Sequence, residues 1–240
     1  MNETSRQPPS AGQEPSGRDL WESICREPFA RNVKAPYVLG PYASFVQRDD
    51  PKHNLFTLAR YKFCAKMLIG KRRLLEIGCA DAFGLDIVRH EVKPQRITGV
   101  DFDEPVIAFN RQRYAGDPEV EFLALDVTQN RLPGGYDGAW CTDVIEHIYP
   151  RDEHSFWDHV TASLTEDAVC IVGTPNAAAN RYASPQSQRG HVNLKDGEAL
   201  RMTMRGRFEN VFLFSMNDEV VHTGFTPMAH YLFAIGAGKR

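Results

Sequence analysis

The residues best suited to chemistry in this 240-residue chain are those that follow its short apolar runs. The first run leads into Glu76-Ile77-Gly78-Cys79-Ala80-Asp81-Ala82. Small residues there let the backbone turn tightly against a ligand, and a following helix offers N–H groups to an anionic part of it. The second leads into Gly99-Val100-Asp101-Phe102-Asp103, where the Asp101 carboxylate can accept hydrogen bonds from both hydroxyls of a ribose. The third leads into Leu125-Asp126-Val127, which sets Asp126 to meet an adenine amino group. The fourth leads into Cys141-Thr142-Asp143-Val144-Ile145-Glu146-His147, where a reacting centre would sit. One such feature alone is a weak signal, because small turns also serve helix–sheet packing and an Asp beyond a strand often caps a helix. Four in succession are hard to assign to packing.

These positions need a scaffold that brings several strand ends to one edge. Strand-like runs fall at 73–77, 96–100, 120–124, 136–142, 168–172, 208–215 and 231–235. Helical spacing fills 83–91, 104–115, 153–164 and 194–205. Alternation of this kind means βαβ crossovers and a parallel sheet covered on both faces, with ligands beyond the carboxyl ends of the strands. The last two strands are joined by about fifteen residues without helical pattern, which predicts an antiparallel pair. Upstream, residues 1–18 are rich in Pro, Ser, Gln and Gly and read as a disordered tail. Residues 19–71 read as a helical and loop segment: a weak helix over 19–35, an ordered loop over 37–50, and a helix from Pro51 to about 69. The main domain is 72–240.

The stretch LLEIGCADAFG at 74–84, followed by Asp101, Asp126 and Asp143, resembles the binding motifs of class I S-adenosylmethionine (SAM)-dependent methyltransferases. The likeness covers roughly 72–175 and continues more weakly to 235. The whole is similar to compact bacterial methyltransferases of surface-glycan and small-metabolite pathways, which mostly modify oxygen. The resemblance implies an α/β, Rossmann-like, mainly parallel seven-stranded sheet with helices on both faces and an antiparallel C-terminal strand. It implies SAM as cofactor, with Glu76, Gly78, Cys79, Ala80 and Asp81 at the methionine end and Asp101 and Phe102 at the ribose. Asp126 and Val127 then hold the adenine, and Asp143 faces the sulfonium. Segment 19–71 covers the cofactor mouth, and Arg60 pairs with the methionine carboxylate. The chain departs from the usual Gly-x-Gly-x-Gly turn by carrying Ala80 and Ala82. Alanine disfavours positive φ by roughly 1 kcal/mol or more, so negative φ is expected at Ala80. Ala80 and Phe83 also break the Gly-x-Gly-x-x-Gly turn of a nicotinamide site.

Methyl transfer is an in-line displacement that depends largely on positioning, and it needs a base only when the acceptor must lose a proton. His147 and His191 are the catalytic candidates, although His147 also suits a scaffold role over the cofactor. His191 lies with Asn176, Tyr182 and Arg189 in the long polar connection 174–194, a segment suited to covering an acceptor. His53 reads as a helix-start residue. For a metal-assisted route Asp143 and Glu146 are the carboxylates that could converge, with Asn176 beside them; the metal-free route is preferred. His154 and His159, five apart on a helix, and the Arg201, Arg205 and Arg207 group read as solvated surface.

A net charge of −3 gives no electrostatic footprint for nucleic acid or membrane. No apolar run reaches the ~20 residues of a membrane helix. The five cysteines form no CxxC pair and read as buried thiols of a reducing compartment, so the protein is expected in the cytoplasm. The expected activity is O-methylation of a small-molecule acceptor, such as a sugar, nucleotide-linked or other metabolite hydroxyl. N-methylation and SAM binding without turnover are the alternatives. The sequence does not specify an oligomeric state.

Overall fold

The computed structural model describes residues 14–34 and 37–240 and divides the chain into two units, Met1–Leu39 and Gly40–Arg240. Within the first unit lies one described helix, α1 (Gly17–Lys34). Most of the expected tail, residues 1–13, lies outside the described residues; Gly17 and Arg18 are already helical.

The second unit begins with α2 (Pro41–Asp49) and α3 (Lys52–Met67). A loop was expected over 37–50, because Pro and Gly punctuate it. Those residues instead start the helix: Gly40 is the extended N-cap and Pro41, with φ preset and no N–H to satisfy, occupies the first turn. Alternation follows: β1 (Arg73–Ile77), α4 (Leu85–Val92), β2 (Arg96–Asp101), α5 (Glu104–Arg113), β3 (Val120–Ala124), β4 (Tyr136–Thr142), α6 (Glu153–Ser163) and β5 (Leu164–Pro175). The chain ends with α7 (Pro185–Gly190), α8 (Gly197–Arg205), β6 (Phe208–Asn217), β7 (Val220–His222) and β8 (Tyr231–Lys239).

The strands form one sheet in the order β3-β2-β1-β4-β5-β8-β6-β7. β1 to β5 pair in parallel, and β8 runs antiparallel between β5 and β6. The sheet therefore has eight strands, not seven. The extra one, β7, is a three-residue edge piece too short and too exposed to show an alternating pattern. β1 and β2 are buried along almost their whole length, as strands covered on both faces must be. One core packs α6 and α8 side chains such as Phe156, Val160, Leu200 and Met204 against the sheet; the other packs Tyr61, Leu68, Leu85, Val88 and Ile107 around Trp140. Each large side chain so buried contributes about 1.5–3 kcal/mol. Cys64, Cys79, Cys141 and Cys170 are buried free thiols, and burial pushes Cys170 up to about 12. The strand order turns around between β1 and β4, which opens a crevice beyond their carboxyl ends.

Candidate active site

The loop after β1 builds the floor of that crevice. Gly78 has φ +70°, and a Cβ there would lie 2.2 Å from Val144 Cγ2, so only glycine lets the β1 and β4 loops meet. Ala80 and Ala82 also have positive φ, +43° and +49°, which corrects the expectation of negative φ at Ala80. Holding positive φ costs roughly 1–2 kcal/mol per alanine. Hydrogen bonds hold the turn there. Ala80 N–H donates to Asp101 Oδ2 at 2.9 Å, and Asn110 on α5 donates to the Ala80 carbonyl at 2.7 Å. Arg113, also packed from the α5 side, donates to the carbonyls of Asp81 at 2.6 Å and Ala82 at 3.1 Å.

The side chains of this loop face inward. Asp81 is 3% exposed and its Oδ2 accepts from the Ala43 N–H at 2.8 Å, so the carboxylate serves the start of α2 and only its backbone is left to the crevice. A Cβ at Gly40 would fall 2.4 Å from that carboxylate, which explains the glycine. Burial raises Asp81 above the usual carboxylate range despite the amides and Arg113. Glu76 is buried and accepts from the Tyr61 hydroxyl at 2.5 Å; burial pushes it up to about 8. Cys79 is buried as well.

Beyond β2, the half-buried Asp101 accepts from Ala80 N–H through Oδ2 and from Asp103 N–H at 3.0 Å through Oδ1. Tyr42 of α2 donates to Asp103 at 3.1 Å. Phe102 is 78% exposed at this rim. Asp126 is exposed, with Oδ1 accepting from the amide (2.9 Å) and hydroxyl (2.7 Å) of Thr128. Val127 is buried, and its carbonyl accepts from His159 Nδ1 at 2.7 Å. His159 is thus an anchor of the loop after β3 and not a solvated residue; His154 is exposed and pairs with Asp158. Arg207 pairs with Asp158 too, at 2.5 Å.

Beyond β4, Asp143 adopts φ +59° and its Oδ2 meets Arg60 at 2.6 Å. The Arg60 guanidinium lies 3.8 Å from the centre of the Tyr231 ring. Burial pulls Arg60 down, but the Asp143 carboxylate outweighs it and holds the guanidinium above its ordinary value. Arg60 therefore reaches the rim from α3, with Asp143 as its partner here. Next to them opens a cleft of about 940 Å³, walled by Phe45, His53 and Phe56 on the α2–α3 side and by Tyr182 and His191 on the other. Tyr182 is 70% exposed, and Arg189 is exposed. Asn176 faces inward: Nδ2 donates to the carbonyls of Thr226 (2.8 Å) and Ala229 (2.9 Å), and Oδ1 accepts from Ala178 N–H. Its side chain ties loops together, which removes it as an acceptor or metal contact.

His147 and His191 come together in this cleft, rings edge-on with centroids 5.1 Å apart. His147 Nδ1 lies 3.0 Å from the Gly190 carbonyl, which can only accept, so Nδ1 carries the proton and Nε2 its lone pair. Burial and the neighbouring His147 lower His191 below its ordinary value, leaving it neutral at pH 7. Glu146, fully buried below them, accepts from the Thr174 hydroxyl at 3.0 Å; burial and Asp143 push it up to about 8. The sequence reading missed Tyr61, Asn110, Arg113, Thr174 and Tyr231. Only Tyr231 left a usable signal, as the first residue of the last strand, which its antiparallel register sets opposite Pro175 at the rim.

Residues 75–170 match the family described as a methyltransferase domain. Over 106 residues the chain is 31% identical to a probable S-adenosylmethionine-dependent methyltransferase of Mycolicibacterium smegmatis. Over this region the chain is similar to S-adenosylmethionine-dependent methyltransferases. That match covers 44% of this chain and 38% of its relative, so the chain spans well under half of the curated relative's length. The fold has solved counterparts. The methyltransferase domain of bacterial CtHen1-C superposes with a TM-score of 0.63 at 16% identity, covering 78% of this chain and 99% of that one. The plantazolicin methyltransferase BpumL, in complex with S-adenosylhomocysteine (SAH), gives 0.60 at 14% identity, covering 93% and 95%.

Proposed function

We propose that the methyltransferase transfers the SAM methyl group to a small-molecule acceptor, with a hydroxyl oxygen as the favoured nucleophile. The observation that carries this reading is the meeting of His147 and His191 in one cleft with Asp143. A sulfonium methyl held near Asp143 would face two imidazoles, groups able to help an oxygen acceptor shed its proton. When bound, SAM supplies an activated methyl group and its own leaving group.

The ribose role of Asp101 is supported by its geometry. Each of its oxygens accepts one N–H of the turn, and a carboxylate oxygen has a second lone pair for a hydroxyl. Phe102 and Asp126 lie exposed on the same side, available to an adenine, while Glu76, Cys79, Asp81 and Val127 shape the walls from within. Gly78 and Ala80 would meet the methionine part through their backbone. Arg60 would exchange part of its Asp143 pairing for the methionine carboxylate, and α2 with α3 would cover the mouth.

Calorimetry with SAM and SAH, followed by a methyl-donor consumption screen over hydroxyl and amine acceptors, tests the proposal. Binding with hydroxyl-dependent turnover supports it. Turnover on amines alone turns it to N-methylation, binding without any turnover favours a SAM-sensing role, and no binding removes it.

A further inference from the structure

The carboxylate and two imidazoles at the acceptor side carry more than a base. One ligand atom from each of Glu146, His147 and His191 lies within 4.8 Å of the other two. Glu146 is 0% exposed, and while Oε2 accepts from Thr174, Oε1 is buried without a hydrogen-bond partner. His191 Nδ1 is likewise buried without a partner. Two buried polar atoms left without a partner are costly, about 1–3 kcal/mol each, unless something binds there.

The surroundings are those of a held ligand set. The Gly190 carbonyl fixes the His147 tautomer that presents Nε2, the arrangement by which a carbonyl orients a metal-bound imidazole. The Glu146 carbonyl accepts from Val192 N–H at 2.8 Å and Asn193 N–H at 3.0 Å, strapping the loop on one side of His191. Asn193 and the buried Lys195 both reach Glu153 of α6, at 2.8 and 2.9 Å, and close the strap on the next turn. Three residues from two distant segments are thus tied together by hydrogen bonds on both flanks of His191.

We propose that Glu146, His147 and His191 bind one divalent transition-metal cation that takes the acceptor oxygen as a further ligand. The proposal rests on the methyltransferase reading above and gives its two histidines a specific task. Two imidazoles and a carboxylate suit Mn²⁺, Fe²⁺, Co²⁺ or Zn²⁺ better than Mg²⁺ or Ca²⁺. Two ligands each ~2.0–2.2 Å from one cation lie within ~4.4 Å of each other, a span comparable with the 4.8 Å within which these three atoms fall. Three protein ligands leave coordination positions open. An acceptor hydroxyl entering one becomes more acidic and releases its proton to water. Its oxygen lone pair then forms the bond to the sulfonium methyl carbon as the carbon–sulfur bond breaks, giving a methyl ether and SAH. The preference for a metal-free route on sequence grounds weighed Asp143, Glu146 and Asn176; His191, distant in the chain, completes the set that Asn176 does not.

The test is a titration of the untagged, chelator-treated full chain with Co²⁺, followed by d–d absorption, with SAH calorimetry run in parallel. One Co²⁺ per chain with an imidazole-type spectrum is expected. His147→Ala, His191→Asn and Glu146→Gln should each weaken it by more than the ~10–100-fold that loss of a metal ligand's hydrogen-bond partner costs, with SAH affinity retained. Absence of stoichiometric Co²⁺ binding, or equal binding in all three variants, overturns the site. SAH binding without Co²⁺ binding removes the cation and leaves the methyltransferase reading; the reverse removes that reading and keeps the site. Once an acceptor is found, full turnover in chelator refutes the role given to the cation, and loss restored by Mn²⁺ supports it.

Discussion

The contact between Gly78 and Val144 decides whether the β1 and β4 loops close the crevice floor as described, and Gly78→Ala measures it. Two penalties apply. An alanine at φ +70° costs about 1–2 kcal/mol, and its methyl, 2.2 Å from Val144 Cγ2, must displace a half-buried side chain at about 1–3 kcal/mol. The stiffer unfolded chain returns about 0.4–1 kcal/mol. The net loss is roughly 1–4 kcal/mol, which for a folded unit of this size lowers Tm by about 2–4 °C per kcal/mol. Gly116→Ala isolates the first penalty, because Gly116 has φ +85° with nothing within 4 Å of its Cβ position. Val144→Ala isolates the second by removing the obstructing methyl groups. Urea unfolding of the parent, the three single variants and the Gly78→Ala/Val144→Ala double, read by circular dichroism, should give Gly78→Ala a larger loss than Gly116→Ala. The Gly78→Ala/Val144→Ala cycle should show a coupling of about 1–3 kcal/mol. A coupling below about 0.5 kcal/mol, or equal losses at Gly78 and Gly116, would refute the contact.

Three further outcomes follow from the site. Glu76 is raised to about 8 by burial, so its folded value lies above its unfolded one; the stability it contributes is full below about pH 4.5 and is lost as pH rises through 8. Glu76→Gln should accordingly raise the urea midpoint more at pH 8 than at pH 5, and a pH-independent change would contradict the shift. Asp101→Asn should keep the fold, since one oxygen still accepts from the Ala80–Asp103 turn, while SAH affinity falls about 10–100-fold, the loss expected for charge-assisted hydrogen bonds; unchanged calorimetric affinity would overturn the ribose assignment. Arg60→Ala should also weaken SAH by about 10-fold or more, and retained affinity would remove its pairing with the methionine carboxylate.

The placement of the strand-end acids was readable because its signals are local. An acid one or two residues beyond an apolar run stays at the strand end however the rest of the chain packs, and the β1–β4 ladders put Asp101 and Asp143 at that edge. What was misread depends on contacts far away in sequence. Ala80 and Ala82 carry no mark of positive φ; the turn is held by Asn110, Arg113 and Asp101, which only the packed α5 and β2 bring near. Asp81 looked like a ligand contact because nothing in the sequence says that the amide of Ala43 will reach its carboxylate. α2 was hidden by the Pro and Gly that begin it, and β7 by its length.

The same distinction separates the two halves of the cleft. The family match ends at residue 170, so it takes in Glu76, Asp101, Asp126, Asp143, Glu146 and His147 but neither His191 nor Tyr231. Tyr231 reaches the rim only because β8 is inserted antiparallel beside β5, which turns the start of a C-terminal strand toward the ends of the parallel ones. His191 reaches it only because the loop after β5 folds back and hydrogen-bonds the turn that carries Glu146 and His147. The half of the site built from strand ends is therefore constrained by the sheet itself, whereas the acceptor half is set by one loop and one edge insertion. Under the proposed function, specificity would change in that second half and leave the Gly78–Ala82 turn, assigned there to the methyl donor, undisturbed. The Arg60–Asp143 pair, at 2.6 Å, joins α3 to the loop after β4 where the two halves meet.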